Sequence, residues 1–123
     1  MKSMKVVLSL AAVCLFASAA ALSNVSAAAE TKRGKGQSQL DQGRAVYSSN
    51  CGRCHGADGA GRTRMAEIVE PPDMTDAAWQ RQRSTSRMIA SVANGRGHMP
   101  AFKKKLSRPE IAAAVAYVRT LKR

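Results

Sequence analysis

Cys51-Gly52-Arg53-Cys54-His55 is the stretch whose reading decides the fold. Two cysteines two residues apart, followed at once by histidine, have the spacing of covalent haem attachment. The order has a chemical reason. Each sulfur forms a thioether with one haem vinyl group, and the two-residue gap sets the sulfurs over the two vinyl positions. His55 then stands beside the second thioether, ready to ligate the iron. Cys-x-x-Cys alone also serves redox dithiols and zinc sites. A thioredoxin-like dithiol wants a βαβ context, which the Ala-, Arg- and Gly-rich flanks do not supply. Zinc wants four ligands, and beyond Cys51, Cys54 and His55 only His98 remains among Cys and His outside the N-terminal segment.

Residues 1–29 read as a cleaved secretory signal peptide. Lys2 and Lys5 form a positive start, Val6 to Leu22 is apolar, and small residues follow, so that cleavage after Ala27 or Ala29 fits equally. The alternative is an uncleaved anchor facing the periplasm. A spanning helix wants about 20 apolar residues, whereas this run is shorter, Ala-rich and interrupted by Ser9 and Ser18. Cys14 belongs to the leader, and Val13 before it does not suit a lipid-modified cysteine. With the haem pair as the only remaining cysteines, an exported chain needs no structural disulfide, and a bacterial periplasm is the simplest compartment.

About 94 of the 123 residues then remain, near the size at which a core is marginal, and only 4% of the chain is aromatic. A large, flat, mostly apolar cofactor would supply the missing centre. Residues 30–37 are polar and basic and read as a flexible tail; residues 38–123 read as one all-α domain. The pattern predicts a first helix from about Ser38 to Asn50, delivering Cys51 at its end. A short helical turn is expected at Thr75 to Gln80, capped by Thr75. A third helix starts at Ser84 to Ser86 and stops at Asn94-Gly95, with Met88, Ile89 and Val92 on one face. The last opens on Ser107-Arg108-Pro109-Glu110, a capping box with proline in its first turn, and carries the stripe Ile111, Ala114, Val115, Val118 and Leu121.

Taken together these features resemble a class I c-type cytochrome of the small, single-haem bacterial kind. The resemblance runs from about Gly43 to Leu121. It rests on Gly43-x-x-x-Tyr47, Cys51-x-x-Cys54-His55-Gly56, Pro71-Pro72-Asp73-Met74-Thr75, Gly97-His98-Met99-Pro100-Ala101-Phe102 and Ala116-Tyr117-Val118. It implies a small cytochrome c fold of about three to five helices wrapped around one covalent haem c. It implies also that the first and last helices cross closely, with Gly43 permitting the approach and Tyr47 and Tyr117 packing nearby.

Met99 is the expected distal iron ligand, because a thioether is a soft, neutral donor that favours ferrous iron and raises the potential. Met1 and Met4 fall in the leader, Met65 follows the haem motif, Met88 sits on a helix face, and Met74 is a pocket-lining candidate. Met99 lies in a Gly- and Pro-bounded loop that matches the family. His98 is its rival. On an extended loop neighbouring side chains point in opposite directions, so only one of the two should face the iron, and His98 is expected outside. A carbonyl at Pro71 or Pro72 is the implied partner of the second ring nitrogen of His55. Trp79, Arg62, Arg64 and Arg96 are candidates to satisfy the haem propionates; ordinary surface or packing roles are the alternative.

Lys and Arg number 20 against 8 acids, and losing Lys2 and Lys5 with the leader still leaves about +10. Arg53, Arg62, Arg64, Arg96 and Lys103 to Lys105 lie within or flank the motifs, and the resemblance implies that these loops surround the exposed haem edge, which would then be ringed by positive charge. Such a ring steers an acidic redox protein or oxidoreductase complex. Nucleic acid is disfavoured by export and by the lack of aromatics among the basic residues; an anionic membrane surface is a further possibility. The expectation is a non-enzymatic electron carrier, a monomer or transient complex. The alternatives are the cytochrome subunit of a periplasmic oxidoreductase complex, and a haem enzyme or gas sensor with an open iron position.

Overall fold

Ser107 accepts a hydrogen bond from the Glu110 amide while the Glu110 carboxylate accepts from the Ser107 amide at 2.8 Å, so the capping box read from the sequence starts the final helix. The computed structural model describes residues 35–123; the leader expected at 1–29 and residues 30–34 of the expected basic tail lie outside the described residues. The chain is helical over residues 35–50 (α1), then at Gly52–His55 (α2), Ala66–Val69 (α3), Ala77–Arg81 (α4), Thr85–Asn94 (α5) and Arg108–Thr120 (α6). No strand forms among the described residues beyond an isolated bridge between Arg96 and Met99. Residues 37–123 form one compact unit.

Among the described residues six helical segments stand where about three to five were expected, because α2 and α3 are single turns of four residues each. Neither is long enough to show a helical apolar period. Residues 35–37, expected to belong to the flexible tail, are already helical in α1 and are exposed. α4 departs from expectation at its cap. The Asp73 carboxylate takes both the amide and the hydroxyl of Thr75, at 2.8 and 2.6 Å, so Thr75 is spent. Asp76 caps instead, accepting from the Trp79 amide. α5 follows its pattern, capped by Ser84 and stopped by Gly95 at φ +77°.

The buried cluster gathers Tyr47, Met74, Met88, Val115 and Val118, with Trp79, Val92, Tyr117 and Leu121 packed against it. α1 meets α6 at Gly43, and the rings of Tyr47 and Tyr117 lie 5.3 Å apart at 56°. The buried Tyr47 hydroxyl donates to the Gly56 carbonyl at 2.7 Å, tying α1 to the turn that ends α2. A polar clasp joins α4 to α6. The buried Gln80 amide donates to the carbonyls of Met74 and Val118, at 2.8 and 2.9 Å, and the Arg119 guanidinium donates to the carbonyls of Gln80 and Arg83. Met74, Met88, Val115 and Val118 also face a cavity, so the core is one wall of the site.

Candidate functional site

Cys51, Cys54 and His55 sit at positions i, i+3 and i+4 of one helical turn, a spacing that puts three side chains on one face. The amides of Cys54 and His55 both donate to the Cys51 carbonyl, at 3.1 and 3.0 Å, and Gly56 ends the turn at φ +78°. All three side chains line a cavity of about 810 Å³. The loop that follows fastens the turn: Gly61 donates its amide to the His55 carbonyl at 2.8 Å, and the Thr63 hydroxyl donates to the Cys54 carbonyl at 3.2 Å.

Both thiols are free and half-buried. Burial first, and the neighbouring Cys54 second, push the Cys51 thiol up to about 11, with Lys105 pulling it back in part. A redox dithiol works through a stabilised thiolate, so this environment is the reverse of what that chemistry requires. Burial lowers the pKa of His55, favouring the neutral imidazole that binds metals. Its Nδ1 is buried with no hydrogen-bond partner among the described residues. Pro71 and Pro72 both line the cavity, and a β-carbon on Gly61 would lie 3.4 Å from the Pro71 carbonyl oxygen. The carbonyl bond expected for His55 from that segment is therefore not made here, although the segment is in place.

Met99 comes to the cavity from the segment after α5. Arg96 and Met99 exchange backbone hydrogen bonds, each 3.0 Å, across a two-residue turn of Gly97 and His98, with Gly97 at φ +56°. The amides of Phe102 and Lys103 then donate to the Val92 and Ala93 carbonyls, folding the segment back on α5. The loop is a tight turn rather than an extended strand, and this changes one expectation. Met99 is half-buried and His98 is exposed at the tip, yet both line the cavity, because successive residues of a turn do not alternate sides. Met65, Met74 and Met88 line it as well; Met74 and Met88 are buried in the core cluster.

Trp79 lines the cavity and its indole Nε1 is buried without a partner among the described residues. The Arg83 guanidinium lies 5.1 Å from the centre of that ring. Of the arginines singled out in the sequence, Arg96 and Arg53 line the cavity. Arg62 is instead paired with Asp58 at 2.6 Å, and neither it nor Arg64 lines the cavity. Arg83 was missed. Its one sequence signal is the four-residue spacing from Trp79, which places it over the ring at the end of α4.

The cavity thus offers two free thiols and an imidazole from one face, a thioether on the loop, and an unpartnered indole N–H beside arginines. A flat, mostly apolar, iron-containing group with carboxylate arms satisfies all of these donors. The family model described as cytochrome C oxidase, cbb3-type, subunit III matches residues 38–118. The chain belongs to this family of c-type cytochromes. The cofactor of the cytochrome is covalently bound haem c, and Cys51, Cys54 and His55 fit its attachment motif. Among its relatives, the cbb3-type cytochrome c oxidase subunit CcoP of Azospirillum brasilense is 30% identical over 91 residues, 73% of this chain and 31% of that protein. Cytochrome c6 of Leptolyngbya boryana is 34% identical over 73 residues, 59% of this chain and 81% of that protein. The solved structure of the KustC0563 c-type cytochrome superposes with a TM-score of 0.63 at 35% identity, covering 66% of this chain and 98% of that one. The cytochrome therefore spans about a third of the length of the cbb3 subunit and most of the length of the two small cytochromes.

Proposed function

We propose that the cytochrome is a one-electron carrier that works in the periplasm after losing the leader at residues 1–29. The observation that carries this reading is the shared cavity, with Cys51, Cys54 and His55 on one face of α2 and Met99 on the loop after α5. Haem c, when bound, supplies a ferric/ferrous couple. Cys51 and Cys54 would anchor it, and His55 and Met99 would hold its iron. Pro71 and Pro72 bound the histidine side, and the buried Trp79 indole N–H would donate to a propionate. The apolar wall of Met74, Met88, Val115 and Val118 excludes water, so the two oxidation states differ little in surroundings. With His55 and Met99 both holding the iron, no substrate would need to bind.

Arg53 and Arg96 at the cavity, with the exposed lysines 103–105 nearby, suit an acidic redox protein or oxidoreductase complex as partner. A second reading, the cytochrome subunit of an oxidase-type complex, is favoured by the relatives whose names are cbb3 oxidase subunits. The match to most of the length of a small cytochrome favours the carrier. The test begins with chain produced in a host able to attach haem. Haem must stay with the polypeptide after denaturation and acid-acetone extraction, and the reduced protein must not bind carbon monoxide. Native membranes should then reoxidise it, and gel filtration of the native material separates a free carrier from a subunit. Haem released into the solvent, or carbon monoxide bound at the reduced iron, would overturn the reading.

A further inference from the structure

Beside the haem cavity, and sharing part of its lining, Arg83, Arg87 and Arg96 line a second cleft of about 290 Å³, with Ala90, Ser91 and Gly95 completing it. Arg83, Arg87, Ser91 and Gly95 recur every four residues, so they follow one side of α5 from the residue before its cap to the residue that ends it. Arg96 enters from the turn that carries Met99. No carboxylate lines the cleft, and the ion pairs among the described residues all involve Asp58, with Arg62 and Arg123. Three arginines and no carboxylate among the lining residues leave this small concavity positively charged, which a bound anion would offset.

Arg83 is held, half-buried with its guanidinium over the Trp79 ring, while Arg87 and Arg96 are exposed, Arg96 being positioned by its backbone pairing with Met99. Guanidinium groups pair with oxyanions through parallel N–H···O bonds, and a held guanidinium loses less freedom in doing so. Arg83, Ser91 and Arg96 moreover line both the cleft and the haem cavity. We propose that the cleft is an oxyanion-binding site whose occupancy is linked, through the shared Arg83 and Arg96, to the oxidation state of the haem iron. The proposal rests on the haem reading given above. The sign follows from charge: an added anion favours the more positive ferric state, so it lowers the midpoint potential, and by reciprocity the ferric protein binds the anion more tightly.

The probe is inorganic phosphate, titrated into the holoprotein at constant ionic strength by calorimetry and by potentiometry. Saturable binding of one phosphate per chain is expected, tighter in the ferric form, with a fall in midpoint potential as phosphate is added. Arg87 lines the cleft but not the haem cavity. Arg87→Gln should weaken binding about tenfold and remove most of the potential shift, while the absorption spectrum stays the same. Arg44→Gln, an exposed α1 residue, is the charge control and should change neither. Absence of saturable binding in holoprotein with intact covalent haem overturns the site without touching the carrier reading; chain that fails to retain haem sinks that reading first. Equal losses in the two variants, or binding with no shift in potential, overturn the proposal as well.

Discussion

A β-carbon on Gly43 would lie 2.1 Å from the carbonyl oxygen of Ala113, so α1 and α6 cross at a separation that glycine alone permits. The obstacle is backbone on a buried stretch of α6, which cannot swing aside as a side chain can. Gly43→Ala sets two effects against each other. Alanine gains about 1 kcal/mol of helix propensity, while forcing packed helices apart costs roughly 1–3 kcal/mol. At 2.1 Å the second wins, and the denaturation midpoint of the holoprotein should fall. A midpoint that rises would mean that the crossing is looser than the structure shows.

Tyr47→Phe removes the hydrogen bond to Gly56 but leaves that carbonyl the amide of Gly59, at 3.2 Å. The loss should therefore be near 1 kcal/mol, with the haem spectrum unchanged. Burial, with smaller contributions from Cys51, Tyr117 and Asp58, holds the phenol well above its usual range. A group with a raised folded-state pKa contributes stability below its unfolded pKa and loses it as pH climbs. The native protein should thus weaken above a pH of about 10, and the Phe variant should weaken less. Parallel pH profiles from chemical denaturation would contradict this.

If Met99 is the distal ligand, Met99→Ala should abolish the weak long-wavelength absorption of Met-bound ferric haem, lower the potential, and let the reduced iron bind carbon monoxide. His98→Ala should leave all three nearly intact. Gly95→Ala gives an indirect test of the same loop. Its β-carbon would lie 2.7 Å from the Met99 carbonyl oxygen and 2.9 Å from the Ala101 amide nitrogen, at a backbone φ of +77°. Displacing that segment should weaken the long-wavelength band and permit partial carbon monoxide binding while far-ultraviolet helicity is retained. Low-spin character lost in the His98 variant and kept in the Met99 variant would point to bis-histidine ligation instead.

Lys103, Lys104 and Lys105 are exposed, and Lys105 is near enough to Cys51 to bias its titration. Changing all three to Glu should slow electron transfer to an acidic partner about tenfold at low salt, through association, and flatten its dependence on ionic strength. The spectrum should not change. Stopped-flow rates equal to those of the native protein at low salt would show that this run is only a solvated surface.

The features legible in the amino-acid sequence were those set by short-range covalent spacing and local hydrogen bonding. Cys51, Cys54 and His55 share a helical face whatever surrounds them, because i, i+3 and i+4 coincide on one turn. Ser107 and Glu110 close their capping box within four residues, and the stripe from Ile111 to Val118 marks the buried side of α6. The tertiary structure decided what depends on partners distant along the chain. Gln80 reaches Val118 across 38 residues and Arg119 reaches Gln80 across 39, and neither has a periodicity that announces it. Asp76 took the cap expected of Thr75 because Asp73 had already claimed that hydroxyl, a competition between neighbours that composition does not rank. His98 and Met99 share the cavity because Arg96 pairs with Met99 into a turn, and Arg83 enters it because the chain after α4 lays its guanidinium over the Trp79 ring. Local spacing encodes which donors exist and which face they share; only the packed chain sets which of them arrive at the same place.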